Sequence, residues 1–234
     1  KTKVESASVR LAFPILFNNI GTKLSNYRAD YYVIPTFFYS KKKKKNVFLT
    51  APSVREEIIR SKPTKGNHIL VYHTTPTATK LLDCLEGIDE RFIIYGFKKR
   101  DNLRNVIFKD FSEKGFIKDL SSAKAVITGG GFSLISEALY LKKPILTTPV
   151  KNHFEQMTNA YYIQKKRYGM VMNSFRKDII IDFLLQIPRF EYYLNKYEFD
   201  PNQHTEKVIS LINQELNRKR SLSYRLTKAL KNLI

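Results

Sequence analysis

The sequence predicts an α/β protein whose core is a Rossmann-like parallel sheet with helices on both faces. From residue 66 onward, short apolar runs rich in β-branched and aromatic residues alternate with segments of helical periodicity. The runs are apolar at successive positions, which is typical of strands buried on both faces of a parallel sheet. Each connection between runs is long enough to hold a helix, as a crossover between parallel strands requires.

The elements follow one another regularly in this part of the chain. Strands are expected at 68–74, 91–97, 125–130, 145–149 and 169–172, with helices near 76–86, 113–122, 133–142 and 155–166. Pro144 follows two lysines and marks a helix end, and Gly169 is placed to cap the helix that carries Arg167. A further helix is predicted near 204–217.

Three regions are predicted along the chain. Residues 61–200 carry the alternating pattern and are expected to form one domain. Residues 1–60 hold a single predicted strand at 29–38 and are expected to be a linker and the tail of a preceding domain. Because the chain begins at Lys1 rather than Met, we expect most of that domain to be absent. Residues 201–234 are predicted to be a C-terminal helix with a basic tail.

The composition limits the classes of partner. The chain has 234 residues, with 41 Lys and Arg against 21 Asp and Glu, a formal net charge of +20. This charge favours an acidic partner such as a nucleotide, a nucleic acid or an anionic membrane surface. Cys84 is the only cysteine, which excludes an internal disulfide and fits a reducing compartment. The sequence shows neither a signal peptide nor an apolar run of membrane-spanning length.

The segment TGGGFSLISEAL, residues 128–139, is the first candidate site. Glycines at the end of a strand let a ligand approach the backbone, because no Cβ intervenes. The helix that follows presents unpaired N–H groups and the positive end of its dipole, which attract phosphate. A tight strand-to-helix turn explains the glycines equally well, since neither GxGxxG nor a Walker A loop is present. The candidate phosphate ligands are Gly130, Gly131, Phe132, Ser133 and Leu134.

Two polar motifs accompany the glycines. Glu137 lies about one turn into the predicted helix, where its carboxylate can reach two vicinal hydroxyls of a bound nucleoside. In the segment PVKNHFEQMTNA, Glu155 and Gln156 can exchange hydrogen bonds with sugar hydroxyls, and Asn159 can fix the loop or contact phosphate. Each motif alone is also ordinary chemistry for the start of a helix.

The order and spacing of these motifs resemble the donor-binding half of GT-B glycosyltransferases. Residues 125–172 are most similar to the peptidoglycan N-acetylglucosaminyltransferase group (the family 28 C-terminal domain) and to the UDP-glucuronosyltransferases. The wider likeness runs from about 66 to 190. An archaeal-type set of uncharacterised members shares the run GGF-LISEALYLKKP…FEQ-NAYY.

The resemblance implies a role for each matching residue. The glycine loop, residues 129–131, and the start of the helix after it would bind the donor diphosphate. Glu137 would bind the ribose hydroxyls. The loop before the preceding helix, with Phe111 and Ser112, would contact the base, although a core aromatic is the other interpretation of Phe111. The residues implied for the donor sugar are Glu155, Gln156 and Asn159, with His153 as a further candidate or a solvated loop residue.

This sequence departs from the family pattern at two places. The first strand is followed by HTTPTAT rather than by a glycine-rich loop. Thr74 and Thr75 can hydrogen-bond a phosphate there, or cap the helix that follows. The family's catalytic base lies in the N-terminal acceptor domain, so we expect it outside this chain. No metal site or cofactor is expected, because the helix dipole and basic groups would stabilise the leaving diphosphate.

We therefore expect an inverting glycosyltransferase that uses a UDP-sugar and an unknown glycan or lipid-linked acceptor. A basic protein that binds nucleic acid or anionic membranes is the alternative, and a sugar-nucleotide epimerase is a third possibility. No nucleic-acid partner is expected, because no RNA-binding signature is present. The expected location is cytoplasmic, with the tail from Arg218 to Lys231 available to hold the protein on the inner face of a membrane.

Overall fold

The computed structural model describes residues 29–39, 44–73, 79–97 and 103–231. These residues form two compact units. One comprises Val54–Glu198, and the other combines residues 29–53 with residues from 199 onward. Thr74 and Thr75, the predicted phosphate contacts of the first loop, lie outside the described residues.

Strands and helices alternate along most of the described chain. The strands are β1 Tyr32–Pro35, β2 Val47–Thr50, β3 His68–Tyr72, β4 Arg91–Tyr95, β5 Val106–Phe108, β6 Ala125–Thr128, β7 Ile145–Thr147 and β8 Gly169–Val171. The helices are α1 Glu56–Arg60, α2 Thr79–Leu85, α3 Glu113–Ser122, α4 Phe132–Tyr140, α5 Phe154–Lys165, α6 Lys177–Leu185, α7 Ile187–Asn195 and α8 Gln203–Lys231.

The larger unit is built on a six-stranded sheet in the order β5-β4-β3-β6-β7-β8. All five strand pairs of this sheet are parallel. Every residue of β6 is buried, so both faces of the sheet are covered, as the continuous apolar runs predict. The predicted α/β parallel sheet is therefore confirmed.

The strand order creates a switch point beside the centre of the sheet. After β3, the chain adds β4 and β5 on one side, and it then returns to place β6, β7 and β8 on the other. The connections after β3 and β6 therefore lead away from each other and leave a crevice at the carboxyl ends of these two strands. Open α/β sheets usually bind their ligands in such a crevice.

The core of the larger unit packs helices α2, α6 and α7 against the sheet. One apolar cluster contains Ile69 and Val71 of β3, Ile127 of β6, Phe183 of α6 and Phe190 of α7. Each of these side chains is at most 4% exposed. The rings of Phe183 and Phe190 are stacked with centroids 5.8 Å apart. Helices α6 and α7, for which the sequence analysis gave no prediction, thus supply part of this core.

The smaller unit pairs β1 with β2 in parallel and includes the long helix α8. The Thr50 hydroxyl lies 2.8 Å from His204 Nδ1 on α8, and Tyr31 donates a hydrogen bond of 2.9 Å to Glu215. His204 therefore has a structural partner in this unit. Strand β2 was not predicted, because it is short and begins two residues after a lysine run.

Gly169 is required by the close approach of β7 and β8. It pairs with Ile145, and a Cβ at this position would lie 1.7 Å from the Ile145 carbonyl oxygen. Its role is thus a close approach between strands rather than the helix cap that the sequence suggested. A glycine inside a strand commonly marks such an approach.

We predict that Gly169→Ala lowers the free energy of unfolding by about 3 kcal/mol, because the added methyl group forces the two strands apart. Urea denaturation followed by circular dichroism measures this change. Gly115→Ala is the matched control, since a Cβ there meets Ser112 at an ordinary 3.4 Å and the residue lies in helix α3. Equal unfolding midpoints for the two variants would contradict the observed packing of β7 on β8.

Candidate functional site

The glycine loop lies at the switch point, directly after β6. Gly130 has φ of +95°, a conformation that L side chains rarely adopt. A Cβ at Gly130 would also lie 3.3 Å from the backbone oxygen of Gln156 on α5. The glycine is therefore needed both for the turn and for the approach of α5 to the loop.

Two polar side chains of helix α5 form hydrogen bonds to the backbone of neighbouring loops. The buried Asn159 donates a hydrogen bond of 3.0 Å from Nδ2 to the Gly130 carbonyl. Gln156 accepts a hydrogen bond of 2.9 Å from the backbone N–H of Val150. Both residues were predicted to contact the donor sugar. In the structure their side chains hold the glycine loop and the loop before α5.

Helix α4 begins at Phe132, directly after the glycines that follow β6. Gly131 is the residue before its first turn and provides no side-chain cap. A Cβ on Gly131 would meet no atom within 4 Å among the described residues, and the Ser133 side chain in the first turn is exposed. The first turn of an α-helix directs N–H groups outward, so this end of α4 offers donors to an anion.

Glu137 is buried and forms a bidentate ion pair with Arg55. Arg55 Nε lies 2.6 Å from Glu137 Oε1, and Arg55 Nη2 lies 2.9 Å from Oε2. The Glu137 side chain is 6% exposed, against 34% for Arg55. The hydrogen bond with Glu137 is the main reason that the pKa of Arg55 is raised above its usual range. A ribose that reaches Glu137 would therefore also meet Arg55.

Arg55 connects Glu137 to the predicted base-contacting loop. Its Nη1 atom donates a hydrogen bond of 2.9 Å to Glu113, the first residue of α3. Ser112 caps α3 by accepting a hydrogen bond of 3.3 Å from the Gly115 amide. Arg55 could not be predicted as a site residue, because nothing in its local sequence indicates a partner 82 residues away.

Phe111 is an exposed aromatic side chain that rests on other rings. It is 63% exposed, and its ring centroid lies 6.5 Å from that of Tyr95 and 5.8 Å from that of Phe116. Tyr95 is itself fixed by donating a hydrogen bond of 2.6 Å to the buried carboxylate of Asp119. A core position, the other interpretation of Phe111 from the sequence, is therefore wrong. The exposed ring of Phe111 can stack on a planar ligand.

His73 lies in the crevice, although the sequence analysis assigned it no role. It follows β3, and its buried ring is hydrogen-bonded to Thr148, the residue after β7. A Cβ on Gly129 would lie 3.4 Å from His73 Cε1, so the ring lies beside the start of the glycine loop. Burial lowers the pKa of His73, which favours the neutral imidazole near neutral pH.

The remaining predicted sugar contacts lie at the start of α5. His153 caps this helix, and its Nδ1 atom accepts a hydrogen bond of 3.4 Å from the Gln156 amide. His153 and Glu155 are both exposed. The structure thus brings the start of α5 to the glycine loop and leaves these two side chains accessible.

Two further properties concern the described residues as a whole. Within the described ranges, no three His, Cys, Asp or Glu side chains are grouped so that they could hold a metal ion. Among the helices of these ranges, none combines the length and apolar character needed to cross a membrane.

Comparisons of the chain with family models and with individual proteins all identify glycosyltransferases. Residues 16–188 match the family described as Glycosyl transferase family 1. An uncharacterized glycosyltransferase of Methanosarcina acetivorans is 29% identical over 175 residues, which cover 68% of this chain and 46% of the relative. The UDP-N-acetylglucosamine–N-acetylmuramyl-(pentapeptide) pyrophosphoryl-undecaprenol N-acetylglucosamine transferase of Clostridium novyi is 25% identical, covering 70% of this chain and 54% of that enzyme. The chain thus spans about half the length of these relatives.

Solved structures with the same fold are also glycosyltransferases. The glycotransferase of kitacinnamycin aligns with a TM-score of 0.59 at 15% identity, over 79% of this chain and 54% of the other. VinC, solved in complex with dTDP, aligns with a TM-score of 0.55 at 16% identity, over 77% of this chain and 50% of the other. These likenesses show the fold, that of one half of a GT-B glycosyltransferase. With its family match extending over most of its length, the chain belongs to glycosyl transferase family 1.

Proposed function

We propose that this chain carries the donor-binding part of a glycosyltransferase that takes its sugar from a nucleoside-diphosphate sugar. The observation that supports the proposal best is the position of the N-terminus of α4, which follows the glycine loop at the switch point of the sheet. Membership of glycosyl transferase family 1 supports it. A UDP-sugar is the first candidate, since one relative is named as a transferase that uses UDP-N-acetylglucosamine.

The proposed arrangement assigns the donor diphosphate to the loop and the first turn of α4. The backbone N–H groups of Phe132, Ser133 and Leu134 would donate hydrogen bonds to the phosphate oxygens. The net charge of +20 would favour the approach of an anionic ligand. Thr74 and Thr75 remain proposed contacts from the loop after β3.

The nucleoside would extend from the diphosphate toward α3. The ribose hydroxyls would bind Glu137, and the base would lie at the loop that holds Phe111 and Ser112. The donor sugar would lie on the other side of the diphosphate, beside the start of α5, where His153 and Glu155 are exposed. Gln156 and Asn159 would act there through the loops that they hold, in addition to any contact with the sugar.

The chemical step that the arrangement supports is departure of the nucleoside diphosphate. Negative charge develops on the phosphate next to the sugar as the bond between an oxygen of that phosphate and the anomeric carbon breaks, while the acceptor hydroxyl oxygen forms its bond to the same carbon. The fixed dipole and N–H groups at the start of α4 would stabilise this charge, without a metal or other cofactor. We propose inversion at the anomeric carbon, with a base from outside this chain deprotonating the hydroxyl of a glycan or lipid-linked acceptor. A basic tail held on an anionic membrane surface would suit a lipid-linked acceptor.

We predict that the chain binds UDP and UDP-sugars, and that Glu137→Ala weakens the binding at least about tenfold because the ribose loses its carboxylate acceptor. Isothermal titration calorimetry with UDP, UDP-N-acetylglucosamine, UDP-glucose and GDP measures this and ranks the base and sugar. Glu206→Ala, an exposed acid on α8, is the control. Equal affinity of wild type and Glu137→Ala for every nucleotide would contradict the ribose assignment.

Ser133 allows a separate test of the diphosphate assignment. Ser133→Glu places a negative charge in the first turn of α4, which suits the helix dipole but repels a bound diphosphate. We predict that this variant is at least as stable as the wild type and binds UDP about tenfold more weakly or worse.

Ser133→Gln, which has the same size without the charge, is the control and is expected to bind UDP more tightly than Ser133→Glu. Thermal unfolding and calorimetry on the three proteins supply the two measurements. If Ser133→Glu bound UDP as tightly as Ser133→Gln, the diphosphate would lie elsewhere.

A further inference from the structure

Both oxygens of the Glu137 carboxylate are bonded to Arg55. The Nε atom lies 2.6 Å from Oε1, and Nη2 lies 2.9 Å from Oε2. A planar guanidinium that bonds both oxygens of a carboxylate uses the lone pair on each oxygen that faces the other oxygen. The lone pairs that are left point away from each other. In this arrangement the carboxylate therefore offers no pair of neighbouring acceptors.

A ribose at Glu137 needs the two positions that Arg55 fills. The 2′- and 3′-hydroxyls are neighbours on one side of the ring, so together they match the two facing lone pairs of a carboxylate. With Arg55 in place, the hydroxyls meet acceptors that are already used and a guanidinium that has no acceptor of its own. A vicinal diol and the Arg55 guanidinium therefore exclude each other at Glu137.

Arg55 is placed where it can withdraw from the carboxylate. Its side chain is 34% exposed, against 6% for Glu137. The guanidinium can therefore move toward water while the carboxylate stays buried. Its Nη1 atom also donates a hydrogen bond of 2.9 Å to Glu113, whose side chain is 64% exposed. After leaving Glu137, the guanidinium thus keeps a carboxylate partner at the surface.

The burial of Glu137 decides what can replace Arg55. A buried carboxylate without its cation is strongly disfavoured unless other donors bond to it. Two vicinal hydroxyls donate one hydrogen bond to each oxygen, and so they replace both contacts of the guanidinium. A nucleotide without this diol supplies no such donors, and the ion pair stays the favoured arrangement.

We propose that Arg55 holds the ribose position at Glu137 until the vicinal hydroxyls of a nucleotide displace it. The proposal rests on the proposed function, because it places the ribose at Glu137. Donor binding is then an exchange of partners at one buried carboxylate. Arg55 acts as a competitor of the ribose, and its ion pair lowers the affinity for every nucleotide that carries the diol.

Nuclear magnetic resonance of arginine side chains follows this exchange directly. In the isotope-labelled 234-residue chain, the Nε–H group of Arg55 is bonded to Glu137 and should give a signal separate from those of exposed arginines. Arg55→Lys identifies this signal by its absence. At saturating UDP we expect the signal to move to the position of exposed arginines. The same concentration of 2′,3′-dideoxy-UDP, which keeps base and diphosphate but lacks both hydroxyls, should leave it in place.

Calorimetric affinities test the competition by the sign of a change. Arg55→Lys keeps a positive charge beside the buried carboxylate, but an ammonium group cannot hold both oxygens in a fork. The diol then displaces a weaker partner, so the affinity for UDP should rise at least about threefold. A residue that oriented the carboxylate or contacted the diphosphate would give a lower affinity instead. Arg60→Lys makes the same change in an exposed arginine of α1 that pairs with Glu56, and it should keep the wild-type affinity.

Each outcome decides the proposal. A wild type that binds no UDP overturns the proposed donor site together with the exchange. If UDP binds and the Arg55 signal stays in place, or if 2′,3′-dideoxy-UDP also moves it, the exchange is wrong and the proposed function stands. The same conclusion follows if the free chain gives no separate Arg55 signal, or if Arg55→Lys does not bind UDP more tightly than the wild type. A signal that only UDP displaces, with tighter binding in Arg55→Lys and not in Arg60→Lys, supports the exchange.

Discussion

The side-by-side placement of β3 and β6 is the constraint on which the candidate site depends. Because the chain builds outward from these two strands in opposite directions, the strand order leaves a crevice beyond their carboxyl ends. The glycine loop follows one strand and His73 follows the other. A change that separated the two strands would remove the crevice, whatever residues lined it.

The polar residues around the crevice have two kinds of task. Asn159, Gln156 and His73 form hydrogen bonds to neighbouring loops and set the shape of the site. Ser133, Phe111 and Glu155 are exposed and are available to a ligand. Glu137 and Arg55 combine both tasks, because the buried carboxylate is held by a partly exposed cation. This division accounts for the buried polar side chains found close to the candidate site.

The sequence predicted the parallel sheet and the glycine turn that precedes α4, because both depend on local patterns. Continuous apolar runs indicate buried strands, and the glycines of residues 129–131 mark the turn after β6. Strand β5 was missed, because Val106–Phe108 is too short to show a pattern. Helix α6 was missed because the run of isoleucines at 179–181 in KDIIIDFLL fits a strand as well as a helix.

The partners of the site residues could not be predicted in this way. The Arg55–Glu137 ion pair, the Asn159–Gly130 hydrogen bond and the place of His73 beside Gly129 each join segments that are distant in sequence. Such pairs are set by the packing of the completed sheet, and a single sequence contains no local signal for them. For the same reason the sequence proposed ligand contacts for Gln156 and Asn159, whose side chains bind protein backbone in the structure.

Hydrogen–deuterium exchange of the chain with and without UDP tests most directly whether a nucleoside diphosphate binds at the start of α4. We predict slower exchange of the amides of residues 130–134 at saturating UDP, because phosphate oxygens would accept their hydrogen bonds. We expect no such change with uridine, which lacks the diphosphate. Unchanged exchange in residues 130–134 at a UDP concentration that saturates the calorimetric signal would contradict binding at the start of α4, as would protection confined to α8.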